Sequence, residues 1–73
     1  MKTVNVIEIS GDGDDVLGLQ AFPDTPEGNK EAEEAFASCL RENGPVAEDV
    51  VEAAIEEGYW KFGDYTVLLV HSR

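Results

Sequence analysis

Basic residues are scarce in this sequence. Five Lys and Arg oppose sixteen Asp and Glu in 73 residues, which gives a formal net charge of −11. Proteins bind nucleic acid by neutralising phosphates with Lys and Arg, so direct binding of nucleic acid is not expected. An anionic membrane surface is disfavoured for the same reason. The composition therefore leaves proteins as the expected partners. They are either basic proteins or proteins that bind without electrostatic attraction.

Cysteine and long apolar runs are also nearly absent. Cys39 is the single cysteine, so no intramolecular disulfide can form, whereas small secreted domains usually contain several. The stretch Met1–Glu8 carries one Lys, and polar residues interrupt its apolar ones, which is not the pattern of a secretory signal peptide. No apolar run approaches the roughly 20 residues that a membrane-spanning helix requires. We therefore expect a cytoplasmic protein without membrane contact.

What is present fits a single small domain covering residues 1–73. Hydrophobic residues make up 42% of the chain. Disorder requires low hydrophobicity as well as high charge, and the first of these conditions is not met. A domain of this length buries only about 60% of the surface that its unfolded chain exposes, so modest stability is expected.

The N-terminal third predicts a β-hairpin. Residues 3–10 and 16–22 are rich in apolar and β-branched side chains, as strands are. The Gly- and Asp-rich residues 11–15 between them favour a turn. Gly18 indicates a bulge or a close backbone approach within the second strand.

A first helix is predicted from Lys30 to Asn43, where apolar residues recur at spacings of three and four. Its start admits two interpretations: Thr25 as the cap with Pro26 in the first turn, or Asn29 as the cap. Its apolar stripe consists of Ala32, Ala35, Phe36, Cys39, Leu40 and Asn43. The sequence Asn43-Gly44-Pro45 should end it, because Gly44 suits a left-handed conformation and Pro45 cannot continue the helix.

A second helix is predicted from about Val46 to Glu57. Glu48 and Asp49 suit its N-terminus, where negative charge meets the positive end of the helix dipole, and Gly58 ends it. The expected apolar stripe is Val46 or Ala47 followed by Val50, Val51, Ala54 and Ile55.

The C-terminal residues predict a second hairpin around Gly63-Asp64, with a type II′ turn that pairs Phe62 with Tyr65. Because side chains alternate along a strand, the two faces of this hairpin separate cleanly. One face carries Trp60, Phe62, Tyr65, Val67, Leu69 and His71. The other carries Tyr59, Lys61, Thr66, Leu68, Val70 and Ser72.

The resulting order, ββααββ, predicts an α+β two-layer sandwich. Both helices should cover one face of a four-stranded antiparallel sheet. Residues 27–57 hold ten acids and two bases, so the acidic surface is predicted to be the outer side of the helices.

No residue pattern indicates catalysis, a metal or a cofactor. A Cys–His pair can form a nucleophile, but Cys39 lies on an apolar helical stripe, where a free cysteine usually packs as a small hydrophobe. His71 lies near the end of the last strand. A calcium loop of the EF-hand type starting at Asp12 would need Gly at Leu17 and Glu at Pro23, so it fails at both positions. We expect a protein that is not an enzyme.

The aromatic residues of the second hairpin have two interpretations. Trp60, Phe62 and Tyr65 with Lys61 resemble a stacking platform in outline. Filling the core of a small domain is the favoured interpretation, because aromatics dominate small cores.

The sheet itself supplies the candidate site. Both faces of residues 3–10 and 65–72 carry apolar side chains, yet two helices can cover only one face, and contiguous exposed apolar patches usually mark interaction sites. Ordinary scattered exposure is the competing interpretation. The predicted interaction face comprises Ile7, Ile9, Tyr59, Lys61, Thr66, Leu68 and Val70.

We therefore expect a non-catalytic protein-interaction or self-associating domain that binds a protein partner or forms a homodimer through this face. The alternative is an anionic mimic of nucleic acid that occupies the groove of a basic nucleic-acid-binding protein. The acidity could also be an adaptation to high salt.

Overall fold

A computed structural model describes residues 2–10, 15–43 and 46–72. Its elements are β1 (Thr3–Ser10), β2 (Val16–Pro23), α1 (Pro26–Glu42), α2 (Glu48–Glu57), β3 (Tyr59–Phe62) and β4 (Tyr65–Ser72). The four strands form one antiparallel sheet in the order β2-β1-β4-β3. The predicted ββααββ order and α+β sandwich are confirmed.

The core lies between the helices and one face of the sheet. Its largest fully buried side chains are Phe36 and Leu40 of α1, Val51 of α2, Val4 and Val6 of β1, and Val67 of β4. Helix α1 packs across β1, β2 and β4, whereas α2 packs against α1 and the outer strand β3. The two outer strands, β2 and β3, therefore lie beneath different helices.

Helix α1 begins at Pro26, four residues before the predicted Lys30, because Thr25 caps it. The Thr25 hydroxyl accepts a hydrogen bond from the Gly28 amide at 3.0 Å, which satisfies one of the free donors of the first turn. Of the two predicted caps, Thr25 is therefore right and Asn29 is wrong. At the other end, Asn43 is the C-cap and its amide bonds the Leu40 carbonyl. The predicted roles of Gly44 and Pro45 fall outside the described residues.

Helix α2 begins at Glu48, two residues later than predicted. Ala47 is extended, with φ −71° and ψ 147°, and its carbonyl accepts the Val51 amide at 3.1 Å, so Val46 and Ala47 precede the helix. Val50 does not belong to the packed stripe, because its side chain is 44% exposed. Val51 and Ala54 are buried on the inner side of α2, with Ile55 packed beside them.

The C-terminal hairpin has the predicted register, Phe62 with Tyr65 and Trp60 with Val67. Gly63 has φ 58°, whereas Asp64, the second residue of the turn, does not have a positive φ. This is what a type II′ turn with Gly in first place requires. Gly58, at φ 71°, ends α2 in the left-handed conformation, as predicted. Its carbonyl then accepts the Leu69 amide at 2.9 Å, which directs the chain into β3.

The N-terminal hairpin contains the predicted irregularity. Glu8 pairs with Gly18 and Ile9 pairs with Val16, so Leu17 is an extra residue in β2. A bulge of this kind reverses the alternation of side chains beyond it. Of the predicted turn, Gly11–Asp14 lies outside the described residues.

Candidate interaction face of the sheet

No element within the described residues covers the face of the sheet that points away from the helices, and we call it the open face. Val4 and Val6 mark the covered side of β1, so alternation places their neighbours in sequence on the other side. Pairing then extends this face to the remaining strands. The open face consists of Thr3, Asn5, Ile7, Ile9, Val16, Leu19, Ala21, Tyr59, Lys61, Thr66, Leu68 and Val70.

An apolar row crosses the middle of the open face. Ile7 pairs with Leu19 on one side and with Leu68 on the other, and Leu68 pairs with Tyr59. Directly opposed residues in antiparallel strands lie about 4.5–5.5 Å apart between Cβ atoms. Leu19, Ile7, Leu68 and Tyr59 therefore form a continuous line over all four strands.

All seven residues of the predicted interaction face lie together on the open face. Tyr59 is 46% exposed and Val70 is 40% exposed. Lys61 is exposed, and the remaining four, Ile7, Ile9, Thr66 and Leu68, are half-buried by their neighbours. Their role in binding stays a prediction.

Strand β2 adds apolar surface that the sequence analysis missed. Leu19 is 63% exposed and Val16 is 66% exposed, and both exceed the exposure of every predicted residue with a large apolar side chain. Simple alternation from the half-buried Phe22 places Val16 on the covered face, and only the bulge at Leu17 turns it to the open side. Gly18 signalled that bulge, but a sequence alone does not tell on which side of Gly18 the extra residue lies.

Charge is nearly absent from the open face. Among its described residues Lys61 is the one charged side chain, whereas α1 and α2 each carry five acids. Glu8 lies on the covered side of β1, and every other described Asp or Glu is exposed on the helices or in the connections. The acidic surface and the apolar surface therefore occupy opposite layers of the domain.

The thiol of Cys39 belongs to a polar cluster at one end of the covered face. Its Sγ donates a hydrogen bond to Oε1 of Glu8 at 3.1 Å. Burial, with that hydrogen bond, raises the pKa of Cys39 to about 11. The pKa of Tyr65, the third member of the cluster, is raised by burial and by its hydrogen bond to Cys39. At neutral pH the thiol is protonated, which is the opposite of what a nucleophilic cysteine needs.

His71 does not meet Cys39. Its Nε2 lies 3.0 Å from Oδ1 of Asn29, and the Asn29 amide group donates to Asp24 and to the Thr25 carbonyl. His71 pairs with Val4 in the sheet, four residues along β1 from Glu8, the partner of Cys39. The two residues considered as a nucleophilic pair are thus at opposite ends of the covered face.

The expectation that Phe62 fills the core is wrong. Phe62 is 57% exposed, because it is the last residue of an outer strand and the helices do not reach the tip of the hairpin. Its ring stacks on Trp60 with centroids 5.9 Å apart. Trp60 itself packs against the core, as expected, and meets Tyr65 edge-on at 6.3 Å.

No metal site or membrane-crossing helix is found in the part of the chain that the structure describes. No three His, Cys, Asp or Glu side chains within those residues are grouped so as to hold an ion. Asp15 is exposed, while Asp12 and Asp14 lie outside the described ranges. No helix there is both long and apolar enough to cross a membrane.

A shallow groove of about 220 Å³ runs between the helices. Ala37, Val51 and Ile55 contribute apolar surface to it, and Lys30 and Arg41 lie among the acids that line it. Arg41 pairs with Glu48 at 3.1 Å, and both side chains are more than half exposed. Such exposed pairs contribute little to stability, and nothing in the groove aims a buried polar group at a ligand.

Comparison with known proteins assigns no family to this chain. No protein-family model, no curated protein and no solved structure matches it. The functional argument therefore rests on the open face itself.

Proposed function

We propose that this protein is a non-catalytic interaction domain of the cytoplasm that binds a protein through the open face of its sheet. The observation that carries the proposal is the apolar row Leu19–Ile7–Leu68–Tyr59, which crosses all four strands without a polar interruption. Monomeric proteins rarely leave such a contiguous apolar surface in water.

The composition of the open face supports binding rather than scattered exposure. Leu19, Val16, Tyr59 and Val70 are each at least 40% exposed, and they are neighbours of the half-buried Ile7, Ile9 and Leu68. Interfaces typically place an apolar and aromatic centre inside a polar rim. Here Asn5 and Thr66 adjoin the row, Thr3 lies beyond Asn5, and Lys61 lies at one corner.

The chemistry of the titratable groups supports a non-catalytic role. The thiol of Cys39 stays protonated because burial and Glu8 oppose its ionisation, and His71 is held by Asn29 away from it. A nucleophile needs a neighbouring base or a depressed pKa, and neither residue is placed to supply one to the other.

Site-specific photocrosslinking tests the proposal. A photoreactive phenylalanine analogue replaces Tyr59 on the open face, and the control replaces Val50, which is similarly exposed on α2. We expect a covalent product in cells from the Tyr59 position, with either another protein or a second copy of the chain, and no such product from Val50. A second open-face variant carries the photoreactive residue at Leu19. The proposal fails if neither the Tyr59 nor the Leu19 position gives a crosslinked product, or if the Val50 position gives the same product as they do.

An anionic nucleic-acid mimic is the second candidate, favoured by the exposure of all ten helical acids. Glu27, Glu31 and Glu34 follow spacings of four and three on α1, so they share one face of the helix. This candidate requires the chain to bind a basic nucleic-acid-binding protein more tightly than a control of equal charge does, and to lose that binding in salt. It ranks second because it gives the open face no role.

A further inference from the structure

We infer that the occupant of the open face is a second copy of this chain, packed face to face about a two-fold axis with the helices outward. This inference rests on the proposed function and names its partner. Three observations carry it: the distribution of charge, the position of the acidic helices above the sheet, and the size of the face.

Charge restricts how two copies can approach each other. Each copy carries a net charge of −11, so any contact that brings the helices together is repulsive. Packed layers lie about 10 Å apart, so face-to-face packing separates the two helical layers by roughly 30 Å. The Debye length at physiological salt is only about 8 Å. The open faces, which carry Lys61 as their charged described residue, can thus meet with little net repulsion.

The alternative of edge pairing brings the acids together. Strand β2 is an outer strand with no charged residue, and such edges invite pairing with another chain. However, α1 lies over β2 and carries five acids. Joining two β2 edges at a strand spacing of about 4.8 Å would place the two α1 helices in one layer, roughly 15 Å apart and thus nearer to each other than in face-to-face packing. Face-to-face packing avoids this repulsion and buries the apolar row as well.

The open face is smaller than one side of a standard interface, so a dimer formed through it should be weak. Three strands have eight residues and β3 has four, which at ~3.3 Å per residue and ~4.8 Å between strands gives roughly 450 Å². That is about a tenth of the 4786 Å² accessible surface of the chain and a little over half of the ~800 Å² that each partner buries in a standard interface. Interfaces at this small end of the range are typically weak and transient, so we expect association no tighter than micromolar.

The centre of the face fixes which residues meet. Ile7 and Leu68 lie opposite each other on the two central strands. The two-fold axis lies between the two sheets, parallel to the strands and midway between β1 and β4, so it places β1 of one copy over β4 of the other. Aligned sheets pack at about 30° with side chains interdigitating. Ile7 and Leu68 of one copy then contact Leu68 and Ile7 of the other. Leu19 of each copy contacts the part of the other copy's open face that lies nearer to β3.

Sedimentation equilibrium of the full chain tests the inference. We expect a monomer–dimer equilibrium in the micromolar range that tightens as salt rises from about 0.05 to 0.5 M, because salt screens the repulsion of the net charges and leaves apolar contact intact. Leu19→Lys should weaken association at least about tenfold, since both copies lose an apolar contact and gain a charge in the interface. Val50→Lys changes the charge equally on α2 and should not weaken it.

The geometry has its own test. In a sample that mixes isotope-labelled and unlabelled chains, isotope-filtered nuclear Overhauser spectra should connect the Ile7 and Leu68 methyl groups to the second copy. Backbone contacts between two β2 strands would overturn the inference, as would a monomer at every concentration and salt. Tyr59→Lys serves as a second open-face variant in case Leu19→Lys alters folding, which circular dichroism monitors.

The two proposals fail separately. A monomeric chain that still crosslinks to another protein from Tyr59 overturns the second copy as occupant and leaves the interaction domain standing. A chain that neither associates nor crosslinks through the open face overturns both.

Discussion

Gly28 is the point where α1 touches the end of β2, and its replacement by Ala tests this packing most sharply. Gly28 is buried, and a Cβ added there would lie 1.8 Å from the Pro23 carbonyl oxygen and 2.8 Å from its carbonyl carbon. The Thr25 amide holds the same oxygen by a hydrogen bond of 2.9 Å. Both clashing atoms are backbone, so no change of rotamer relieves the overlap.

The loss of stability in Gly28→Ala follows from two opposing effects. Alanine favours a helix over glycine by about 1 kcal/mol. Ordinary contact requires a shift of roughly 1.5 Å between α1 and β2, and overpacking alone typically costs about 1–3 kcal/mol. The shift also opens the contacts of Ala32 and Phe36, both fully buried on the same helix, which adds about 2 kcal/mol. We expect a net destabilisation of about 2–4 kcal/mol, a large part of the roughly 4–11 kcal/mol expected for a domain of this length.

Urea unfolding followed by circular dichroism and by the fluorescence of Trp60 measures the effect. In thermal unfolding the same loss lowers the midpoint by about 10–25 °C. The matched control is Gly18→Ala in β2, where the added Cβ would lie 3.5 Å from the flexible Glu8 carboxyl group, and we expect a change within about 1 kcal/mol. A Gly28→Ala protein as stable as the wild type would refute the close approach of α1 to β2.

Three further outcomes follow from the structure. Thr25→Ala removes the cap of α1 and should cost about 1 kcal/mol in urea unfolding; an unchanged midpoint would contradict the cap. Gly58→Ala should destabilise by at least about 1–2 kcal/mol, because φ is 71° and a Cβ would lie 2.7 Å from the Leu69 carbonyl oxygen; equal thermal midpoints would contradict it. The pKa of Cys39 is raised from 9.0 to about 11, so the folded state retains the proton longer than the unfolded state does, and its contribution to stability is complete below pH 9 and lost as pH rises towards 11. Alkylation of the thiol should therefore be slow in the folded protein at neutral pH, and rapid alkylation without unfolding would count against the burial of Cys39.

Local rules predicted most of the fold. The turn Gly63-Asp64 fixed the register of the second hairpin, because a two-residue loop leaves one pairing, and Gly58 marked the end of α2. The division of the hairpin into two faces followed from alternation alone. Which face the helices cover was left open by the sequence. In the structure Trp60, Val67 and Leu69 face the helices, whereas Lys61 and Thr66 face outward.

The wrong or missed predictions concern side chains whose burial depends on elements that are distant in the sequence. Val50 and Phe62 are apolar and suitably spaced, yet both are exposed because no neighbouring element extends over them. Val16 was missed because the bulge at Leu17 turns it to the open face. Leu19 needs no bulge to lie on that face; it was missed because its face is fixed by pairing with β1, a register that the sequence did not specify. Periodicity describes what a side chain prefers, whereas its coverage depends on the lengths and positions of the packed elements.

The most direct test of the central claim is the sedimentation equilibrium of the purified chain at low and high salt. The account predicts a dimer in the micromolar range that tightens with salt and that Leu19→Lys weakens while Val50→Lys does not. A monomer under all conditions, or a dimer that dissociates as salt rises, would contradict the packing of two copies through the open face.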